Sequence, residues 1–247
     1  MSVAKSARPR VGFVGRRGGI WTFIASWFVP VTMTIAYVLL ALTSETDLIG
    51  WAWMSLGLAF VLVLWWMFRA LTHTASMARA IAVGDAERVL EIDDAPLYRA
   101  VAHELRAEWT QALRALAEAT PRSARDQVLA VTTKIAALVE TGEVARARDV
   151  LDTELANPLA KLNPRMDAAS HIAALLARGR VLTAERSHDD ALALLQQVID
   201  DIRTGSSTRA LAHHYASRAA AGANDMAAAE QHRAKAAALA PGTWFAR

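Results

Sequence analysis

Cysteine is absent from this chain of 247 residues. Disulfides and thiolate metal sites are thereby excluded. Charge is missing from two long stretches, residues 20–42 and residues 50–68, neither of which holds an Asp, Glu, Lys, Arg or His. The sequence also lacks a phosphate-cradling glycine loop, a nucleophile elbow and a carboxylate pair beside a base. His103-Glu104 has Ala107 where a zinc-protease helix would carry its second histidine. His213 and His214 are adjacent, so on a helix they face different sides and do not chelate one ion together. Asp189-Asp190 and Asp200-Asp201 fall at helix ends in the sequence pattern, where they cap or face solvent. These absences lead to the expectation of a non-enzyme with no catalytic residue, no cofactor and no metal.

The two charge-free runs are the feature around which the chain is organised. The first, at about 1.5 Å per residue, makes roughly 34 Å of helix, and the second is just long enough for a hydrocarbon core of about 30 Å. The sequence therefore predicts a transmembrane helical hairpin over residues 20–70, with helices at 20–43 and 50–70. Trp21, Trp51, Trp53, Trp65 and Trp66 stand at the ends of these runs, where indole rings favour the membrane interface. Pro30 lies mid-run and predicts a kink. Small residues on one stripe of each helix, Ser26 and Pro30 on the first and Ser55 and Ala59 on the second, are the expected hairpin contact.

The formal net charge is +3, but the excess is not in the domain that follows. Residues 1–19 carry Lys5, Arg8, Arg10, Arg16 and Arg17 and no acid, whereas residues 71–247 hold 21 basic and 22 acidic side chains. A nucleic-acid partner would need basic clustering in the folded domain, so none is expected. The loop between the runs carries Glu45 and Asp47, and Arg69 follows the second run. By the positive-inside rule both termini are expected in the cytoplasm. Arg16-Arg17 before an apolar run is also the start of a twin-arginine export signal, but the run is long and a second one follows, so an uncleaved anchor is expected. Arginine in place of lysine and abundant alanine suggest a bacterial chain, hence a multi-pass protein of the bacterial inner membrane. The basic arm, with Arg8, Arg10, Arg16 and Arg17, is read as a contact for anionic headgroups or for a cytoplasmic partner surface.

Beyond the hairpin, residues 71–95 read as a juxtamembrane helix and linker, with Gly84-Asp85 as a helix stop. His73 there is an interfacial residue that is either solvated or a ligand. Residues 96–247 read as helices throughout. Asp94-Ala95-Pro96 predicts a capped helix start, and Tyr98, Val101, Leu105, Trp109, Leu113 and Leu116 predict one continuous helix to Thr120. Ser123 to Asp126 predicts a capping box. Further helices are expected after Gly142, to a stop at Asn157-Pro158, then over about 166–185, 188–203, 207–221 and 224–239.

Three of these turns align with one another, at residues 142–147, 186–191 and 224–229, each ending on an alanine (Ala147, Ala191, Ala229). Ala229, Ala236 and Pro241 in the last unit, and Gly179 and Ala191 in the middle one, resemble the tetratricopeptide-repeat pattern, while Arg203 stands where proline is usual. The first unit, about 122–158, fits loosely, and a generic helical-pair solenoid is the other reading of the same spacing. The resemblance covers about residues 122–242. It implies an all-α chain whose stacked helix pairs leave a concave surface for protein partners, and no chemistry.

Together these readings give an all-α fold, an N-terminal transmembrane hairpin followed by a cytoplasmic tetratricopeptide-like domain. The expected function is a non-catalytic scaffold or accessory subunit of a larger membrane complex, respiratory or photosynthetic. The alternative is a tethered adaptor that recruits soluble clients for assembly or quality control. Membrane lipids, other membrane subunits and soluble clients are the expected partners. Trp244 and Phe245 are expected either to fold back over the last groove or to anchor a partner.

Overall fold

The computed structural model describes residues 48–246 together with Thr32 and Ile35, both helical. The other residues of the first apolar run lie outside the described residues. So do the basic arm with Arg8, Arg10, Arg16 and Arg17, the proposed belt residue Trp21, and Ser26 and Pro30. Among the described residues the chain is all-helical, with no strand. It divides into two compact units, residues 1–74 and residues 75–247.

The described part of the first unit is the helix α1, Leu48–Val83, whose last turns belong to the second unit. Its segment Ser55–Val83 is long and apolar enough to cross a membrane, and none of its apolar window is buried by the protein. At 1.5 Å per residue those 29 residues span about 43 Å. Leu56, Phe60, Val63, Trp66 and Phe68 are all exposed on it. In water that surface would carry a large hydrophobic cost, roughly 1.5–3 kcal/mol for each large side chain.

The second unit is built from helix pairs. α2 spans Ala86–Ile92, α3 Pro96–Leu105, α4 Trp109–Glu118, α5 Ala124–Glu140, α6 Val144–Glu154, α7 Ala156–Ala160, α8 Ala168–Ala184, α9 His188–Asp200, α10 Ser206–Gly222 and α11 Met226–Leu239. A short 3-10 turn at Trp244–Ala246 follows. Five of the connections are one and the same turn. Gly84, Ala107, Gly142, Arg186 and Asn224 each adopt a left-handed conformation, with φ between 60° and 83°. In every case the left-handed residue's N–H reaches the carbonyl three residues back, and the next N–H reaches the carbonyl five back, as in Gly142 to Val139 and Glu143 to Leu138. This is the Schellman arrangement, which satisfies the last carbonyls of one helix while the following residue caps the next. Asp85 and Asp225 do so through their side chains, accepting from the N–H groups of Arg88 and Ala228.

Two expectations are corrected here. The helix drawn from Pro96 to Thr120 is two, because Ala107 turns left-handed and Trp109 starts a new helix. The residue capping α3 is Ala95, without a side-chain bond; the nearby carboxylate that works is Asp93, which accepts from the Ala95 N–H. The helix after Gly142 ends at Glu154, next to the stop expected near Leu155, and Asn157-Pro158 fall in the short α7 that follows, where a first-turn proline lacks only an N–H that has no helical partner. The capping box at Ser123 and Asp126 forms with both reciprocal hydrogen bonds.

The first helices of the pairs, α3, α5, α8 and α10, pack in succession. α8 is the hub, because it has two apolar faces. Ile172 and Leu176 join the cluster formed with Leu195, Val198 and Tyr215, while Ala174, Ala177 and Val181 join the one formed with Val128, Ile135 and Leu151. Gly179 lets α9 come close, since a Cβ there would lie 2.8 Å from Leu195 Cδ2. A third cluster joins Met77 and Ala80 of α1 to Val89 of α2 and Ala102 of α3.

The stack of pairs then closes on itself. The Ser206 hydroxyl donates to the Ala82 carbonyl at 3.4 Å, and a Cβ on Gly205 would touch the Ala82 Cβ at 3.0 Å. Thr243 and Ser207 lie beside Gly84. The turn between α1 and α2 therefore touches the start of α10 and the residues after α11.

Candidate interaction site on the inner row of helices

Polar side chains of the first helices meet along the inner row, toward the C-terminal ends of α3, α5 and α8. Arg180 of α8 is 3 % exposed, and its Nη1 donates to Glu104 Oε1 of α3 at 2.8 Å. The other oxygen of Glu104 accepts from the Thr133 hydroxyl of α5 at 2.9 Å. The Arg180 guanidinium also lies 5.1 Å from the centre of the Tyr215 ring of α10. Tyr215, fully buried, donates its hydroxyl to Glu140 Oε1 of α5 at 2.7 Å, and Arg218 Nη1 donates to the same oxygen at 2.7 Å. Arg218 lies over the Tyr215 ring as well, at 5.4 Å. Each of these two braces skips one pair: α3 to α8 passes the α5–α6 pair, and α5 to α10 passes the α8–α9 pair. Two carboxylates and two guanidiniums balance in charge, and for the buried Arg180–Glu104 pair burial demands it, whereas Arg218 is exposed.

The electrostatics follow from the packing. Burial works against the Arg180 charge, but the Glu104 and Glu140 carboxylates favour it more, so its pKa stands above the ordinary arginine value. Burial, with Glu140 beside it, pushes the Tyr215 hydroxyl well above the usual tyrosine range. A phenol so held stays protonated and serves as a hydrogen-bond donor, not as a base.

Next to this network sits an aromatic seat. Trp244 meets Trp109 edge to face at 5.1 Å and the His214 ring at 5.3 Å. His214 Nδ1 lies 3.0 Å from the Phe245 carbonyl, so the neutral ring that makes this bond carries its proton on Nδ1. Burial, then Arg218, lowers the His214 pKa. Phe245 is 2 % exposed and belongs to the α8–α9–α10 core. Of the two options for this dipeptide, the structure places both residues folded back over the helical unit.

His213 faces the other way and places its Nδ1 2.8 Å from His232 Nδ1 of α11. Burial and the neighbouring His232, Lys235 and Arg209 lower its pKa to about 4. His103 pairs with Glu108 at 2.6 Å while its neighbour Glu104 turns to Arg180. Among the described residues no group of three or more histidine, aspartate or glutamate side chains is placed to hold a metal.

Of the membrane residues named from sequence, Trp66, Ser55 and Ala59 are exposed on α1, and Trp65 carries Arg69 over its ring at 5.7 Å. Trp51 and Trp53 lie in the first turns of α1, their side chains outside the described residues. Sequence reasoning missed Glu104, Glu140, Arg180, Tyr215 and Arg218. Arg180 stands in the sequence two residues from the exposed Arg178, and nothing local marks it as the buried one of the two.

No protein-family model, no curated protein and no solved structure matches this chain.

Proposed function

We propose that the protein is a non-catalytic scaffold or accessory subunit anchored in a bacterial inner membrane by a two-helix hairpin, and that it stabilises a larger membrane complex. The observation that carries this reading is α1. Its apolar surface is uncovered by the protein, and the same helix runs on without a break into the helical unit. Lipid or the helices of another membrane subunit are the surroundings that suit Phe60, Trp66 and Phe68. The helix-pair stack, read as tetratricopeptide-like, would then lie on the cytoplasmic side and bind protein, with lipids and neighbouring subunits as partners. An energy-transducing complex, respiratory or photosynthetic, is a host of this kind.

Mild solubilisation of native membranes, with the chain carrying a C-terminal tag, tests the reading. A complex of fixed stoichiometry supports it. A monodisperse monomer refutes it. A variable, exchangeable set of soluble proteins supports the alternative, a tethered adaptor, which the aromatic seat beside Trp109 also favours.

A further inference from the structure

The apolar stretch of α1 ends on a charge that its own helix cannot neutralise. From Leu48 to Phe68 the helix carries no charge, and at 1.5 Å per residue it rises about 31 Å, close to the roughly 30 Å of a hydrocarbon core. Arg69 comes next and is exposed. α1 contains no Asp or Glu, so the helix offers Arg69 no ion pair three or four residues away. The Arg69 guanidinium instead lies 5.7 Å from the centre of the Trp65 ring, one turn back towards the apolar stretch. The hydroxyls on its other side turn inwards. Thr72 donates to the Arg69 carbonyl at 2.9 Å and Thr74 to the Ala70 carbonyl at 3.1 Å. These two groups are satisfied by the helix itself, whereas a guanidinium brings a fork of N–H donors and a full charge.

We infer that Arg69, stacked on Trp65, binds the phosphate of an anionic phospholipid and that this contact sets the depth of α1 in the bilayer. A lipid matches both parts of the surface at once. Its acyl chains suit Phe60, Val63 and Leu64, which are exposed before the boundary. Its phosphate oxygens suit the planar guanidinium, which can pair with two of them while its face stays on an aromatic ring. Indole rings favour the headgroup level, so a cation held at Trp65 sets the phosphates within one turn of helix, between residues 65 and 69. The charge is one-sided. Beyond Phe68 the helix carries Arg69, His73 and Arg79 and no acid, which favours an anionic headgroup over a zwitterionic one.

Because this site rests on the membrane reading above, its test separates the two. The chain has no cysteine, so one introduced thiol carries one probe. Full-length Val63→Cys and Ala70→Cys chains, each coupled to benzophenone maleimide, are irradiated in nanodiscs of phosphatidylcholine and phosphatidylglycerol in equal amounts. Mass spectrometry then identifies the lipids attached. At Ala70→Cys phosphatidylglycerol is expected about fivefold over phosphatidylcholine, the factor for one basic side chain beside an anionic surface. Adding Arg69→Gln should bring the two lipids to parity, and Arg69→Lys, which keeps the charge but not the fork, should leave the ratio in between. Lipid at Val63→Cys without enrichment at Ala70→Cys overturns the site and leaves the membrane reading standing. Enrichment that survives Arg69→Gln assigns the lipid to another basic group and overturns the site too. No lipid at Val63→Cys refutes both.

Discussion

Replacing Arg180 by alanine leaves the Glu104 carboxylate with only the Thr133 hydroxyl as a partner. The Arg180 and Glu104 side chains are 4 % and 16 % exposed, so water does little to compensate. Removing one member of such a pair costs about 3–5 kcal/mol, because the remaining charge stays buried and unpaired. Tyr215 also loses the guanidinium over its ring, and α8 loses the packing of the arginine stem. For a unit of this size each kcal/mol moves the midpoint by about 2–4 °C, so Arg180→Ala should lower it by about 6–20 °C.

The comparison that isolates the mechanism is the double substitution Arg180→Met with Glu104→Gln. It removes both charges, keeps an acceptor for Thr133 and restores apolar volume against Tyr215. Replacing a buried pair in this way is often neutral or better, so the double variant should melt within about 5 °C of the parent. The assay is helical circular dichroism of the detergent-solubilised chain against temperature. If Arg180→Ala moves the midpoint by less than about 2 °C, or if the double variant is as damaged as the single, the brace does not hold the closure as argued.

Three other outcomes follow from the same structure. Gly179→Ala places a Cβ 2.8 Å from Leu195 Cδ2, and Leu195 is fully buried, so the α8–α9 contact must open; a loss of about 1–3 kcal/mol in unfolding free energy, measured by urea denaturation, is expected. His213 has its pKa lowered from 6.5 to about 4 in the folded chain, so its contribution is fully present above pH 6.5 and is lost as the pH falls towards 4. About 2 kcal/mol should go by pH 5, measured against His213→Gln, in which that part of the loss disappears. Phe60→Arg puts a charge on the uncovered face of α1, at a cost of about 2.5–3.5 kcal/mol for a charge near the bilayer centre. Alkaline extraction should release more of this variant than of Phe60→Leu, and equal release would remove α1 from the membrane.

How much of this was legible in the residues depends on the range over which each feature is determined. Helical content follows from periodicity and caps, which are local, and the capping box at Ser123 needed only four residues to be read. The pairing turns are local too, and Gly84, Gly142 and Asn224 announce themselves because glycine and asparagine tolerate the left-handed conformation. Ala107 and Arg186 adopt the same conformation with no such preference, at a cost of about 1–2 kcal/mol each. Tertiary packing must offset that cost, and this explains why the break between α3 and α4 is absent from the sequence pattern while Trp109 appears there as one more residue of a continuous face.

The closure is the opposite case, because nothing local requires it. Repeating helix pairs leave an inner surface, and whether that surface stays open depends on which side chains meet across it. Here the answer lies in Arg180 and Tyr215, two residues whose burial makes sense only with Glu104 and Glu140 opposite them. Arg178, two residues away on α8, is exposed and needs no partner, whereas Arg180 is buried and would be costly without one. Its burial goes with a carboxylate from another pair, which the packing of the first helices brings within reach. Trp244 and Phe245 act on the same gap from the far end. They fill apolar space that the polar braces cannot, and so the inner surface is closed partly by charge pairs and partly by a segment of the chain itself.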